Sequence, residues 1–321
     1  MGGFACSSWY FLRFASPGYK DGPFRAEDMA YWLPVDQYVG GAEHAVLHLL
    51  YSRFWTHFLH DEGMLPFAEP FTRLRNQGML VVKTPHRRAN DENATEEWVP
   101  ITAAEAATLG PEAITMRAAK MSKSLRNVVT PDEMVGRYGA DSLRLYELFM
   151  APFDQEVEWS EEGINGARRF LGRVWDLVVR WHAAHDGTTS GEPDTALVRL
   201  QHKTIARVTR DVERFRFNTM VAALMEFANA LGERMRTGNA RTAEFAAATE
   251  TLVRLLAPTT PFLAEALWQL TGGFGRATSG EIHAGDADAP FGADGPGSIH
   301  AQSWPEWDEA LARDETVTVA V

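Results

Sequence analysis

Hydrophobic and polar positions follow two different rhythms along the chain. Up to about residue 159, short apolar runs alternate with Gly, Pro, Asn and Asp turn signals. After it, long stretches carry apolar residues at helical spacing. The pattern predicts α/β followed by all-α. In the first part, Ser7–Phe14 is aromatic-rich and β-prone, and predicts a core strand broken by Pro17-Gly18 and Asp21-Gly22-Pro23. Val35–Val39 predicts a short strand, Gly40-Gly41 a tight turn, and Ala42 to about His60 a helix. That helix places Val46, Leu49, Leu50, Phe54 and Phe58 at helical spacings. Leu74–Val82 reads as a loop and then a β-run, and Lys83–Glu97 as a polar surface insertion. Trp98–Ile101 and Ala113–Met116 read as β pieces flanking a small helix, Ala103–Leu109.

Helix signals are sharper further on. Thr130 is an N-cap, Pro131 stands at N1 and Glu133 at N3, and Gly139 ends that helix after Tyr138. Asp141–Phe149 follows as a second helix, and Val157–Ser160 as a short strand. The second part predicts a bundle: Gly163–His185 with Phe170, Leu171, Val174, Trp175, Leu177, Val178 and Trp181, then Asp194–Arg214, Asn218–Arg236, and Thr242–Leu256 continuing into Phe262–Leu270. Gly272–Gly297 is rich in Gly, Ala and Asp and predicts a flexible insertion. Thr316–Val321 reads as a β-run. The expected domains are residues 1–159 with a short insertion at about 83–118, 160–271, 272–297, and 298–321.

Composition narrows the class. A 321-residue chain that is 45% hydrophobic suggests about two globular domains. Its one cysteine, Cys6, excludes an internal disulfide and a Cys-based zinc site, and fits a reducing compartment. No run is apolar enough to predict a membrane span, no secretory signal is visible, and the cytoplasm is the expected location. A net charge of −12 argues against a nucleic-acid binder. Arg168–Arg236, however, holds twelve basic residues against eight acidic ones, a net of +4. That suits RNA contact and an ordinary solvated helix face equally.

Three constellations carry chemistry. Lys120-Met121-Ser122-Lys123-Ser124 puts two ammonium groups and two hydroxyls in one polar loop, which suits a pyrophosphate; a solvated basic turn has the same composition. Strand, Gly40-Gly41 and helix start is how α/β folds receive nucleotides. His44 and His48 share a helix face. A zinc pair would need a third ligand and the H-E-x-x-H order, and Glu43 precedes the first histidine instead. A packed pair remains open, as does a ligand-binding pair with Glu43 accepting from a ribose hydroxyl. Gln77-Gly78-Met79 could place amides beside a base, or form a plain turn.

Lys120–Ser124 matches the KMSKS loop of class I aminoacyl-tRNA synthetases letter for letter. Ser7-Ser8-Trp9-Tyr10, Leu33 to His48, Gln77-Gly78-Met79, the KMSKS loop and Gly166 to Trp175 come in an order that resembles the bacterial-type leucyl-tRNA synthetase family. The resemblance implies the second half of a Rossmann-type class I catalytic domain plus a helix-bundle, anticodon-type tRNA-binding domain. It implies that Ser7, Tyr10, Tyr38, His44 and His48 form the leucine pocket. Gly40, Gly41, Glu43 and His44 would meet the adenylate around the ribose, and Gln77, Gly78 and Met79 the adenine. Lys120 and Lys123 would stabilise the α-phosphate and departing pyrophosphate, and Arg169 and Arg173 would contact tRNA. The implied reaction activates leucine with ATP, Mg²⁺ travelling with the nucleotide, and passes leucine to tRNA(Leu). No protein-bound metal and no membrane are implied. The chain shows no H-x-G-H motif and no threonine-rich editing domain. It therefore reads as the C-terminal half of the catalytic fold with the bundle, from a longer gene or a split enzyme, inactive without the missing N-terminal half. Two rivals are a class I ligase for valine, isoleucine or methionine, and a non-catalytic tRNA-binding protein derived from a synthetase.

Overall fold

The computed structural model describes residues 5–89, 98–185, 188–274 and 297–313. The expectations for most of Gly272–Gly297 and for Thr316–Val321 lie outside the described residues. Chain contacts separate two units, residues up to Leu80 with Phe153–Val157, and Val81–Pro152 with Glu158 onward.

In the first unit the predicted strand at Ser7–Phe14 is a helix, α1 (Tyr10–Ala15). Its β-propensity yields to packing: Phe11 and Leu12 sink into a small core with Phe24, Met29, Leu59 and Leu65. Helix α2 (Ala26–Trp32) carries Met29. Strand β1 shrinks to Tyr38–Val39 and runs parallel to β2 (Leu74–Arg75), pairing Tyr38 with Leu74 and Val39 with Arg75. Val35 meets Phe71 in an isolated parallel bridge.

The predicted helix from Ala42 is two pieces. A 3-10 turn, Ala42–Val46, breaks at Leu47 before α3 (His48–Asp61). On α3 a largely polar row faces inward. Its inward face is His48, Ser52, Thr56 and Leu59, while Leu50, Phe54 and Phe58 stay 56%, 56% and 47% exposed. Residues four apart share a face, so turning the polar row inward turns the aromatic row outward.

In the second unit, Lys83–Arg88 is strand and not loop. Strand β3 (Leu80–Arg88) stands between β4 (Trp98–Pro100) and β5 (Ile114–Lys120), antiparallel to both. Val81 pairs with Lys120 and Arg87 with Ile114. Pro85 is tolerated because its backbone faces β4, where its carbonyl accepts from Ile101 N–H at the end of the ladder. The small helix α4 shortens to Ala103–Ala106 under a Thr102–Glu105 capping box. The chain passing through β6 (Val157–Glu158) bonds Trp159 N–H to the Val81 carbonyl.

Helices α5 (Pro131–Tyr138) and α6 (Ala140–Phe149) form as their caps predict, with Thr130 accepting from Glu133 N–H and Gly139 at φ +87° between them. The bundle is α7 (Glu161–Ala184), α8 (Thr195–Glu213), α9 (Phe217–Arg236), α10 (Ala243–Leu256) and α11 (Pro261–Leu270). Phe170, Phe227 and Phe245 lie in its core, while Trp175, one of the apolar residues of α7, is 40% exposed. Helix α6 fastens to the α10–α11 corner at both polarities. The Asp141 carboxylate accepts from Leu263 N–H at 2.6 Å, and Arg144 donates to the Pro258 and Thr259 carbonyls. A short helix, α12 (Glu309–Ala312), lies against α8. Among the described residues no helix is long and apolar enough to cross a membrane.

Candidate active site

A cleft of about 440 Å³ opens in the first unit. Ser7, Tyr38, Gly40, Gly41, His44, His48 and Gln77 line it, together with Val39, Leu49 and Leu74. The local fold explains the convergence. Tyr38 and Leu74 are register partners across β1 and β2, Gly40-Gly41 leave the strand end, and the break at Leu47 lets His44 and His48 face the same space. Their rings stand edge to face, 6.2 Å apart.

Tyr38 and His48 line the cleft, and Tyr10, outside the lining, joins them in a row of three side chains. Tyr10 Oη lies 3.0 Å from Tyr38 Oη, which lies 2.5 Å from His48 Nε2. The Tyr38 ring stacks on Phe71 at 3.8 Å. Burial first, then the Tyr10 hydroxyl, push the Tyr38 phenol well above its usual range, so it keeps its proton. Burial and the neighbouring His44 push His48 below the ordinary 6.5. The Tyr38 hydroxyl thus bridges Tyr10 Oη and His48 Nε2. Among the described residues the cleft lining holds no carboxylate or ammonium group, and Val39, Leu49 and Leu74 add apolar surface. It suits a small ligand with an apolar body.

The lowered His48 pKa sets a pH dependence. The unfolded chain binds the proton first, so stability is unaffected above about pH 6.5 and falls as pH drops through the folded pKa. Thermal midpoints taken between about pH 7.5 and pH 5 should therefore decline, and His48→Gln should flatten the slope. An equal slope in the variant would remove His48 as the cause.

The other expected site residues fall in different places. Gly41 caps only a five-residue 3-10 turn, so the helix-dipole argument for an anion there does not carry over. Glu43 is exposed on that turn, outside the cleft lining. Gly78 and Met79 also lie outside the lining, and the Gly78 amide already donates to the Phe153 carbonyl at 2.8 Å. Lys120 and Lys123 belong to the second unit. Lys120 ends β5 and Lys123 starts the following turn. Arg169 and Arg173 lie one turn apart on the exposed face of α7, Arg173 over the Phe170 ring at 5.8 Å. Arg168 and Trp175, on the same helix, line a second cleft of about 660 Å³ with Asp141 and Phe262. Asn127 had no sequence signal beyond its place in a polar loop, yet it ties that loop together.

Both family matches lie beyond the first eighty residues. Residues 194–321 match the family described as the anticodon-binding domain of tRNA ligase. Residues 114–160, which hold both lysines, match the class I tRNA synthetases (I, L, M and V). By these matches the chain is similar to a segment of the class I tRNA synthetases, with a Rossmann-like α/β part and a helical anticodon-binding domain. Within that class its relatives are leucine–tRNA ligases. That of Dehalococcoides mccartyi is 40% identical over 321 residues, covering 100% of this chain and 32% of the relative. That of Synechococcus sp. is 39% identical over 345 residues, covering 36% of the relative. Among solved structures, the Agrobacterium radiobacter K84 agnB2 LeuRS–tRNA–LeuAMS ternary complex superposes with a TM-score of 0.70 at 34% identity, over 97% of this chain and 34% of that one. The chain thus spans about a third of the length of the curated relatives it matches.

Proposed function

We propose that this chain supplies part of the catalytic fold and the tRNA-binding bundle of a leucine–tRNA ligase. The observation that carries the reading is the cleft that gathers Ser7, Tyr38, Gly40, Gly41, His44, His48 and Gln77 in one unit. The leucine specificity of the relatives disfavours valine, isoleucine or methionine as the amino acid. Ser7, Tyr10, Tyr38, His44 and His48 would hold the leucine side, with Gly40, Gly41 and Glu43 by the ribose and Gln77, Gly78 and Met79 by the adenine.

In the first step the leucine carboxylate attacks the α-phosphorus of ATP, and pyrophosphate leaves with the bonding electrons. Lys120 and Lys123 would neutralise the charge that builds on the non-bridging and leaving oxygens. Mg²⁺ arrives bound to ATP, as part of the substrate. In the second step a hydroxyl of the terminal tRNA adenosine displaces AMP, with Arg169 and Arg173 holding the tRNA. The enzyme gains its rate from positioning and charge, without a covalent protein intermediate. A soluble enzyme of translation in the cytoplasm is part of this reading.

The exposed Leu50, Phe54 and Phe58 stripe supports a further part of the proposal, that the rest of the catalytic fold packs over α3. Leucine-dependent ATP–pyrophosphate exchange tests both parts. The 321-residue chain alone should give no signal, and adding the complementary catalytic half should restore one. Robust exchange by the chain alone would overturn the split. Absence of leucine dependence in the restored enzyme would overturn the ligase reading.

A further inference from the structure

We infer that Asn127 is a positioning residue for Lys120 and Lys123, its amide fixing how the loop between them sits on strand β3. The assignment rests on the proposed role of those lysines. Asn127 Oδ1 accepts from Ser122 N–H at 2.8 Å. Its Nδ2 donates to Thr84 Oγ1 at 2.9 Å and approaches the Lys120 carbonyl at 3.4 Å. One side chain therefore spans the end of β5, the middle of the loop and the adjacent strand.

The partners allow only one orientation of the amide. Ser122 N–H can only donate, and the Lys120 carbonyl can only accept. Thr84 has one hydroxyl proton, and its Oγ1 gives it to the Val82 carbonyl at 3.0 Å. Thr84, 1% exposed, thus turns a lone pair toward Asn127, and an N–H must meet it. An aspartate would set an acceptor against the Lys120 carbonyl, and an alanine would leave the buried Thr84 lone pair unmet.

The consequences reach Lys123. Ser122, held through its backbone, presents a hydroxyl that accepts from Leu125 N–H at 3.2 Å and lies 3.0 Å from Ser124 Oγ. Arg126 closes the turn at φ +52°, with its N–H on the Lys123 carbonyl at 3.3 Å. Lys120 is thereby set by the sheet, and Lys123 by a turn whose tie to that sheet is Asn127.

Two measurements decide the matter. The first is amide exchange of Ser122 in the full chain. Asn127→Ala and Asn127→Asp should each speed it by about tenfold or more, the loss of one hydrogen bond, while β3–β5 amides keep their protection. Thr84→Val keeps the shape, acts from the strand side and should loosen Ser122 in the same direction, which covers a misfolded Asn127 variant. Unchanged Ser122 exchange, or uniform loosening of the whole sheet, overturns the assignment. The second is the exchange reaction of the assembled ligase. Asn127→Ala should lower kcat about 10- to 100-fold with the leucine KM unchanged, as for a misplaced catalytic group. Lys123→Ala is the reference. If it slows the reaction and Asn127→Ala does not, Asn127 is not a positioning residue. If neither slows it, the reading of the lysines fails instead, and the Ser122 exchange alone decides whether Asn127 ties the loop.

Discussion

Lys123→Ala in the assembled ligase should slow leucyl-adenylate formation by about 10²- to 10³-fold, the usual effect of losing one donor aimed at developing charge. Leucine should bind as before, because the cleft holding Tyr38 and His48 contains neither lysine. An ammonium group that acts on the leaving pyrophosphate contributes mainly in the transition state, so kcat should fall and KM for leucine should stay. Lys123→Arg should recover only part of the rate. A planar guanidinium replaces a compact point charge, and a loop closed by Ser122, Leu125 and Arg126 has little freedom to adjust for it. Lys120 closes β5 opposite Val81, so Lys120→Ala removes a charge without removing a strand. The double variant should lose less than the product of the single losses, since both charges serve one leaving group. Pyrophosphate exchange with varied leucine and varied ATP measures each quantity. A Lys123→Ala enzyme with unchanged kcat would sink the assignment.

Legibility in the sequence followed the physics of each element. The bundle was readable because its helices bury apolar stripes, and α5 because Thr130, Pro131 and Gly139 mark its two ends. The first unit was less so. Tyr10–Ala15 is short, and six aromatic-rich residues cannot show whether the period is 2 or 3.6. On α3 the period was readable and the buried side was not. Periodicity tells which residues share a face, but not whether that face meets this unit's own core. Lys83–Arg88 looked like a polar loop because hydropathy does not register the ladder to β5. The cleft was legible as a set of letters in a familiar order, and the Tyr10–Tyr38–His48 row was not, since its members are brought together by helix α1 and the break at Leu47. Asn127 stayed invisible for the same reason. Its meaning lies in a partner 43 positions away.

Gly78→Ala should be the most damaging single methyl group in the first unit, and the reason is contact rather than dihedral freedom. Gly78 does not take a left-handed backbone angle. A Cβ there would stand 1.8 Å from the Gln155 carbonyl oxygen and 2.2 Å from its carbon, both main-chain atoms that no rotamer can move. Relief requires separating two segments joined by Gly78 N–H to Phe153 and Val157 N–H to Met79, at 2.8 and 3.0 Å. Overpacking of this kind costs about 1–3 kcal/mol, and the broken ties place this site at the upper end. The shift also carries Gln77, which lines the cleft, so KM for ATP in the assembled ligase should rise along with the loss of stability. Gly40→Ala is the control. A Cβ at Gly40 meets nothing within 4 Å, and the residue lines the same cleft. Denaturant unfolding of the two variants should differ by about 2 kcal/mol. Equal destabilisation would mean that Gln155 yields freely, and that the approach of residues 153–157 to Gly78 does not set the position of Gln77.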